Sequence, residues 1–224
     1  MVLRFRVEYL DITNKDHQSS QDAWSYSETS MVVADGVGGW SARGIDPAIW
    51  PHVFICQLAM CLSPHEGKDI LESIADAMAR TRVCGSSTLS LVQINPITTT
   101  AFAYNLGDSC WFHIRNGVLI ASSTSTIHSP GFPFQLGRDE DGLVHDSLPE
   151  DGVITPLNLQ RGDLVGVATD GLTKLLPLNL LVDYLSNDED LEVSMGIMAA
   201  TVLGLDKAAQ EHDDITVVVA KVIA

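Results

Sequence analysis

The sequence predicts an α+β layered domain, and three observations carry that prediction. Strands come in runs and helices in runs, where an alternating βαβ sheet would interleave them. The gaps between strands are short and hold turn dipeptides, Asn95-Pro96 and Asn116-Gly117. An apolar content of 46% over 224 residues supplies one well-buried core. A single domain is therefore expected over residues 1–224.

The elements follow in order. At the start, Leu3, Phe5, Val7 and Tyr9 alternate with Arg4, Arg6 and Glu8, which is the period of a strand and not of a signal or transit peptide. Residues 24–35 read as a hairpin turning at Ser27–Ser30. Helical periodicity covers 46–62 and 67–82. Four short strands are expected over 87–94, 98–105, 109–115 and 118–122, as a meander. Residues 123–151, rich in Ser, Gly, Pro and Asp, read as a long surface loop of the functional kind. A strand over 164–169, helices over 172–185 and 188–210, and a last strand over 215–222 complete the chain.

Composition narrows the function. Thirteen Lys plus Arg against 29 Asp plus Glu give a formal charge of −16, which argues against nucleic acid or an anionic membrane as partner. The four cysteines contain no C-x-x-C pair, so free thiols in a reducing compartment are expected rather than a zinc cluster or disulfide framework. The longest apolar run, Ile49–Leu62, carries Pro51, His52 and Gln57 and falls short of the ~20 residues of a membrane span. A soluble intracellular monomer is expected, cytoplasmic or mitochondrial.

Asp35 ends the apolar run Met31–Ala34 and precedes a glycine. A carboxylate aimed off a buried strand needs a partner, whether a basic side chain, a helix N-terminus or a metal ion. Asp170 repeats the pattern in "LVGVATDG", while Asp213 and Asp214 stand just before the run of "HDDITVVVA". If the last strand lies antiparallel to the other two, Asp35, Asp170 and Asp213 meet at one sheet edge. Carboxylates crowded there repel, so without a cation at least one stays protonated. Oxygen-only ligands suit Mg²⁺ or Mn²⁺, and Gly36 leaves room for a backbone carbonyl to join them.

Together the segments "VVADGVGGW", "GSSTLSLV", "NLGDS", "VATDGL" and "DDITVVVA" resemble the metal-dependent protein phosphatases of the protein phosphatase 2C type. "GIDP" and "PFQL" make the likeness strongest to the branch of mitochondrial, T-cell-activation-type enzymes. The resemblance covers residues 21–222 and implies a four-layer αββα sandwich, in which a central antiparallel β-sandwich is flanked by helices. It implies serine/threonine phosphatase activity on phosphoprotein substrates and two Mn²⁺ or Mg²⁺ ions. Asp35 would bridge both ions, the Gly36 carbonyl would bind the second, Asp170 and Asp213 would hold the first, and Asp108 marks a weaker third site. Two cations about 3.5–4 Å apart lower the pKa of a shared water enough for in-line attack on phosphorus near neutral pH.

The chain also departs from that family. Where the family has an Arg four residues before a Glu-Asp pair, this sequence has His17 and Gln21 and keeps only Asp22. Gln21 offers the second metal a neutral oxygen, and the substrate phosphate loses a bidentate cationic fork. His17 would grip phosphate only when protonated, with Lys15 and Arg43 as candidate substitutes. Asp214 stands where many relatives have Asn, and Val37 where some have His. A catalytically weak pseudophosphatase that binds proteins is the alternative these changes raise. An N-terminal D-x-D, twin D-[ST]-G and G-x-S-x-G, which other hydrolases would need, are missing.

Overall fold

The computed structural model describes residues 3–62, 69–95, 98, 100–186, 190–209 and 212–224. In chain order these form β1 (Arg4–Ile12), β2 (Asp22–Tyr26), β3 (Ser30–Asp35), α1 (Ile49–Cys61), α2 (Ile70–Arg80), β4 (Gly85–Ser87), β5 (Leu89–Asn95), β6 (Thr100–Leu106), β7 (Cys110–Arg115) and β8 (Val118–Ser122). Then follow β9 (Ile127–Ser129), β10 (Phe132–Pro133), β11 (Leu136–Arg138), β12 (Val144–Asp146), β13 (Val153–Leu157), β14 (Leu164–Ala168), α3 (Asp170–Leu175), α4 (Leu178–Ser186), α5 (Leu191–Ala208) and β15 (Ile215–Ile223).

Two five-stranded antiparallel sheets stack face to face, one in the order β1-β15-β14-β7-β8 and the other β13-β6-β5-β3-β2. Strands buried on both faces explain the near-continuous apolar runs of the sequence. In β3, Met31 and Val33 turn inward to meet Val92, Val165, Val167 and Val218 between the sheets. Val32 and Ala34 turn outward, against Trp50, Phe54 and Leu58 of α1 and Ile74 and Ala77 of α2. The outer face of the other sheet, with Phe112, Val217 and Val219, is covered by α3, α4 and α5 through Leu172, Leu181, Met198 and Val202. The four-layer αββα expectation is met. All four cysteines are free, with Cys56 exposed.

Several local features differ from expectation. The four strands expected as one meander divide between the sheets: β5 pairs with β6 and β7 with β8. The chain crosses over at Gly107, whose φ of +97° suits glycine, and this turn presents Asp108. The helix expected over 172–185 is two, broken after Leu176. Pro177 cannot donate to a continuing helix and instead precedes the first turn of α4. The expected long loop carries β9 to β12, of which β11 pairs with β4 to join the flap to the body. Strand β13 escapes a reading by sequence because it contains Pro156, and it sits at a sheet edge, where a missing N–H is tolerated. Helix α2 starts at an Asp69 cap whose carboxylate accepts the Glu72 N–H at 2.8 Å. The ends expected for helices 67–82 and 188–210 fall partly outside the described residues. No helix among them is long and apolar enough to cross a membrane.

A candidate metal cleft at the sheet ends

The antiparallel register decides where the acids go. Asp22 stands opposite Asp35 across β2 and β3. In the facing sheet, Ala168 pairs with Val217, so the end of β14 and the beginning of β15 share an edge, and Asp170 and Asp213 lie just beyond it. The turn after β6 adds Asp108. Asp35, Gly36, Asp108, Asp170 and Asp213 all line one cleft of about 650 Å³, together with Gln21, His17, Thr88 and Lys174.

Both glycines that follow these acids are required sterically. A Cβ on Gly36 would stand 2.5 Å from the Gln21 carbonyl and 2.7 Å from that of Pro47. One on Gly171 would stand 2.0 Å from the Asp214 carbonyl. Packing of backbone against backbone thus brings the segments near residues 21, 36, 171 and 214 to one point.

The cleft is electrostatically uncomfortable. Burial, and then the charges of Asp22, Asp170, Asp213 and Asp108, push the Asp35 carboxyl well above the ordinary carboxylate range. Asp108 is raised to about 6, by burial first and by Asp170 next. Asp22 is only 2% exposed and does not line the cleft. Burial raises it strongly too, against the lowering effect of the Thr169 hydroxyl, which donates to its Oδ2 at 2.8 Å. Thr169 also accepts from the Thr216 N–H at 3.0 Å, tying the two strand ends together.

Among the described residues, the cleft holds one ammonium, and it belongs to the protein. The Lys174 Nζ lies 2.9 Å from Asp170 Oδ2 and 2.7 Å from Asp213 Oδ2. Burial alone would lower its pKa, but the bonds to Asp213 and Asp170 hold it above its ordinary value. Sequence reasoning misses Lys174. The available signal is its spacing four residues after Asp170, which puts both on one helix face because α3 begins at Asp170 and not at Leu172.

Asp214 turns away from the cleft. It is 2% exposed and accepts the backbone N–H groups of Asn14 at 2.6 Å and Gln21 at 2.8 Å. It also lies 2.8 Å from His17 Nδ1. The Gln21 amide nitrogen, a donor only, is 3.0 Å from His17 Nε2, which assigns the proton to Nδ1. So His17 lines the cleft but is tethered at both nitrogens. Lys15 is exposed and Arg43 lies over the Trp40 ring at 5.0 Å, near Asp139; neither lines the cleft.

The remaining polar groups around the cleft are structural. Ser86 and Ser87 of "GSST" are sealed at 1% and 0% exposure, which suits packing and not nucleophilic attack. Thr88 positions the site instead, its Oγ1 accepting the Asp35 N–H at 3.2 Å and meeting Ser109 Oγ at 2.7 Å. His212 pairs with Asp206, His145 with Asp139, His128 with Asp146 and His113 with Asp163. His52 bonds the Ser20 carbonyl, and His65 lies outside the described residues.

The donor chemistry fits a divalent ion. The donors are all oxygen, burial and neighbouring carboxylates hold Asp35 and Asp108 up, and an ammonium bridges Asp170 and Asp213. As the side chains stand, no group of three or more His, Cys, Asp or Glu among the described residues is closed into a cage.

Comparison with known proteins gives the same answer from outside. The family model for stage II sporulation protein E matches residues 29–223. The protein phosphatase PTC7 homolog fig of Drosophila mojavensis is 35% identical over 185 residues, covering 76% of this chain and 59% of its own length. The chain thus spans about three-fifths of that curated relative. Among solved structures, the photosystem II phosphatase PBCP superposes with a TM-score of 0.85 at 21% identity, covering 98% of this chain and 99% of its own. The catalytic domain of the phosphatase PstP, in complex with two manganese ions, reaches 0.67 at 17% identity, covering 99% and 100%. The acids at the strand ends, the αββα layers around them and the family match together show that this chain belongs to the SpoIIE/PP2C-type phosphatase domain family.

Proposed function

We propose that the protein hydrolyses phosphoserine and phosphothreonine in protein substrates, with two Mn²⁺ or Mg²⁺ ions in the carboxylate cleft. The observation that carries this reading is the gathering of Asp35, Asp108, Asp170 and Asp213, from four segments, around one cleft in which Lys174 is the sole ammonium among the described residues. Support also comes from the manganese complex of the structural neighbour PstP.

In this reading Asp35 would serve both ions, Asp170 and Asp213 the first, the Gly36 carbonyl and Gln21 the second, and Asp108 a weaker third. When bound, the ions supply Lewis acidity toward phosphate and lower the pKa of a bound water. The protein's own groups do the rest. Thr88 fixes Asp35 through its backbone N–H. Asp22, expected among the ligands, is sealed behind Asp35 and serves instead by holding Thr169. His17 is a poor grip for phosphate, because its Nδ1 proton is engaged by Asp214 and its Nε2 accepts from the Gln21 amide, which leaves no N–H for the anion. Gly131 and Pro133 bring the flap over the cleft, where it meets the polypeptide around a phosphoresidue. Val37 offers no proton, so solvent protonates the leaving alkoxide.

The test is hydrolysis of a small aryl phosphate and of a phosphoserine peptide with added Mn²⁺. Asp35→Asn and Asp170→Asn should each cost more than about 100-fold, beyond the 10- to 100-fold typical of groups that only orient a ligand. A folded protein with no turnover at saturating Mn²⁺ would reject this reading in favour of a protein-binding pseudophosphatase.

A further inference from the structure

Lys174 occupies the place where a metal's charge belongs. It stands one helical turn after Asp170 on α3, and Asp213 comes from the start of β15, 39 residues on in sequence. The two carboxylate oxygens it engages belong to the residues that the proposed function gives to the first metal. A lone pair aimed at an ammonium proton is not available to a divalent ion, and the ammonium's charge repels a second cation brought beside it. The lysine is nonetheless displaceable. Its side chain is 56% exposed, and a flexible four-carbon stem lets the head swing into water without disturbing the core.

We propose that Lys174 is a tethered competitor of the first metal: it neutralises Asp170 and Asp213 in the metal-free protein and must leave before a divalent ion can load. The inference rests on the metal assignment above but not on turnover. It makes Lys174 a residue that sets the concentration of free Mn²⁺ or Mg²⁺ at which the cleft fills. An exposed ion pair of merely ordinary kind would contribute little and would leave metal affinity unchanged.

Calorimetric titration of Mn²⁺ into the metal-free protein, without substrate and at fixed ionic strength, separates the two. Lys174→Met removes the charge and keeps the length, and should tighten the first Mn²⁺ by about tenfold, equivalent to ~1.4 kcal/mol. Lys174→Arg keeps the charge and should stay within about threefold of the wild type. Uptake by Lys174→Met where the wild type shows none would support the inference in its extreme form. Equal affinities within twofold, or no uptake by Lys174→Met, would overturn it.

A second measurement needs no mutation. In lysine ¹⁵N spectra, the Lys174 ammonium should be a slowly exchanging, hydrogen-bonded signal in the metal-free protein and should lose that protection at saturating Mg²⁺; an unchanged signal at saturation would overturn the inference. Loss of hydrolysis with affinities split as expected would reject the proposed function alone. Intact hydrolysis with equal affinities would reject this inference alone.

Discussion

Asp214 holds more of the site than its side chain's distance from the cleft suggests. Its two oxygens collect two backbone N–H groups and a ring nitrogen from residues almost 200 positions earlier. A buried carboxylate so engaged fixes the 14–21 segment against β15. Asp214→Ala strands those donors and should cost about 2–3 kcal/mol. By thermal melting that is a loss of about 5–10 °C, while Asp214→Asn, which still accepts, should lose less than half as much. Thr169→Val removes the hydroxyl from Asp22 and should weaken Mn²⁺ binding about 10-fold, measured by titration. The acids themselves are legible in the sequence, because an apolar run ending in Asp-Gly is a local pattern. Lys174, Thr169 and the orientation of Asp214 are not, because each depends on which element lies opposite, across 39 to 200 residues of chain.

At the scale of elements, the flap is the part most open to test. Its short strands β9 and β10 bring Gly131 and Pro133 to the cleft, with Phe132 64% exposed at the tip. Removing the tip residues 130–132 should change kcat/KM for a phosphoprotein at least several-fold while altering that for a small aryl phosphate less than twofold. Equal effects on both would mean that the tip supports the site and does not contact the substrate. Gly171→Ala drives a methyl group onto the Asp214 carbonyl, so α3 and β15 must part. A loss of about 2 kcal/mol or more in urea unfolding is expected from such overpacking. Element type is readable wherever periodicity is strong, as in β1 and α2. It fails where proline bears two meanings: Pro177 opens a helix and Pro156 marks an edge strand. Proline's lack of an N–H is local, but whether that N–H would have had a partner is a tertiary fact.

For the molecule as a whole, ionisable groups pull stability in opposite directions. Asp163, although burial opposes it, is lowered by Arg115, the Gln160 N–H and His113. A carboxylate held below its unfolded value contributes stability above pH ~4 that is lost as pH falls through its folded value. Arg115→Ala removes the guanidinium that does most to hold Asp163 ionised, so that variant should lose less stability than the wild type on going from pH 5 to pH 3 in chemical unfolding. The cleft acts in the other sense. Asp108, raised to about 6, takes up more protons folded than unfolded between pH ~4 and 6 and so costs stability as pH rises through that range. Divalent ions should reverse that cost: at a free Mn²⁺ concentration 100-fold above Kd the folded state gains about 2.7 kcal/mol, and a chelator should remove the gain.

The central claim is that acids carried to one edge by two antiparallel sheets bind divalent cations. Crystals equilibrated with Mn²⁺ and measured at its absorption edge test it most directly. The account predicts anomalous peaks within bonding distance of Asp35 and the Gly36 carbonyl, with the Lys174 head group withdrawn from Asp170 and Asp213. A cleft without anomalous signal, its lysine still bridging both carboxylates at saturating Mn²⁺, would contradict it.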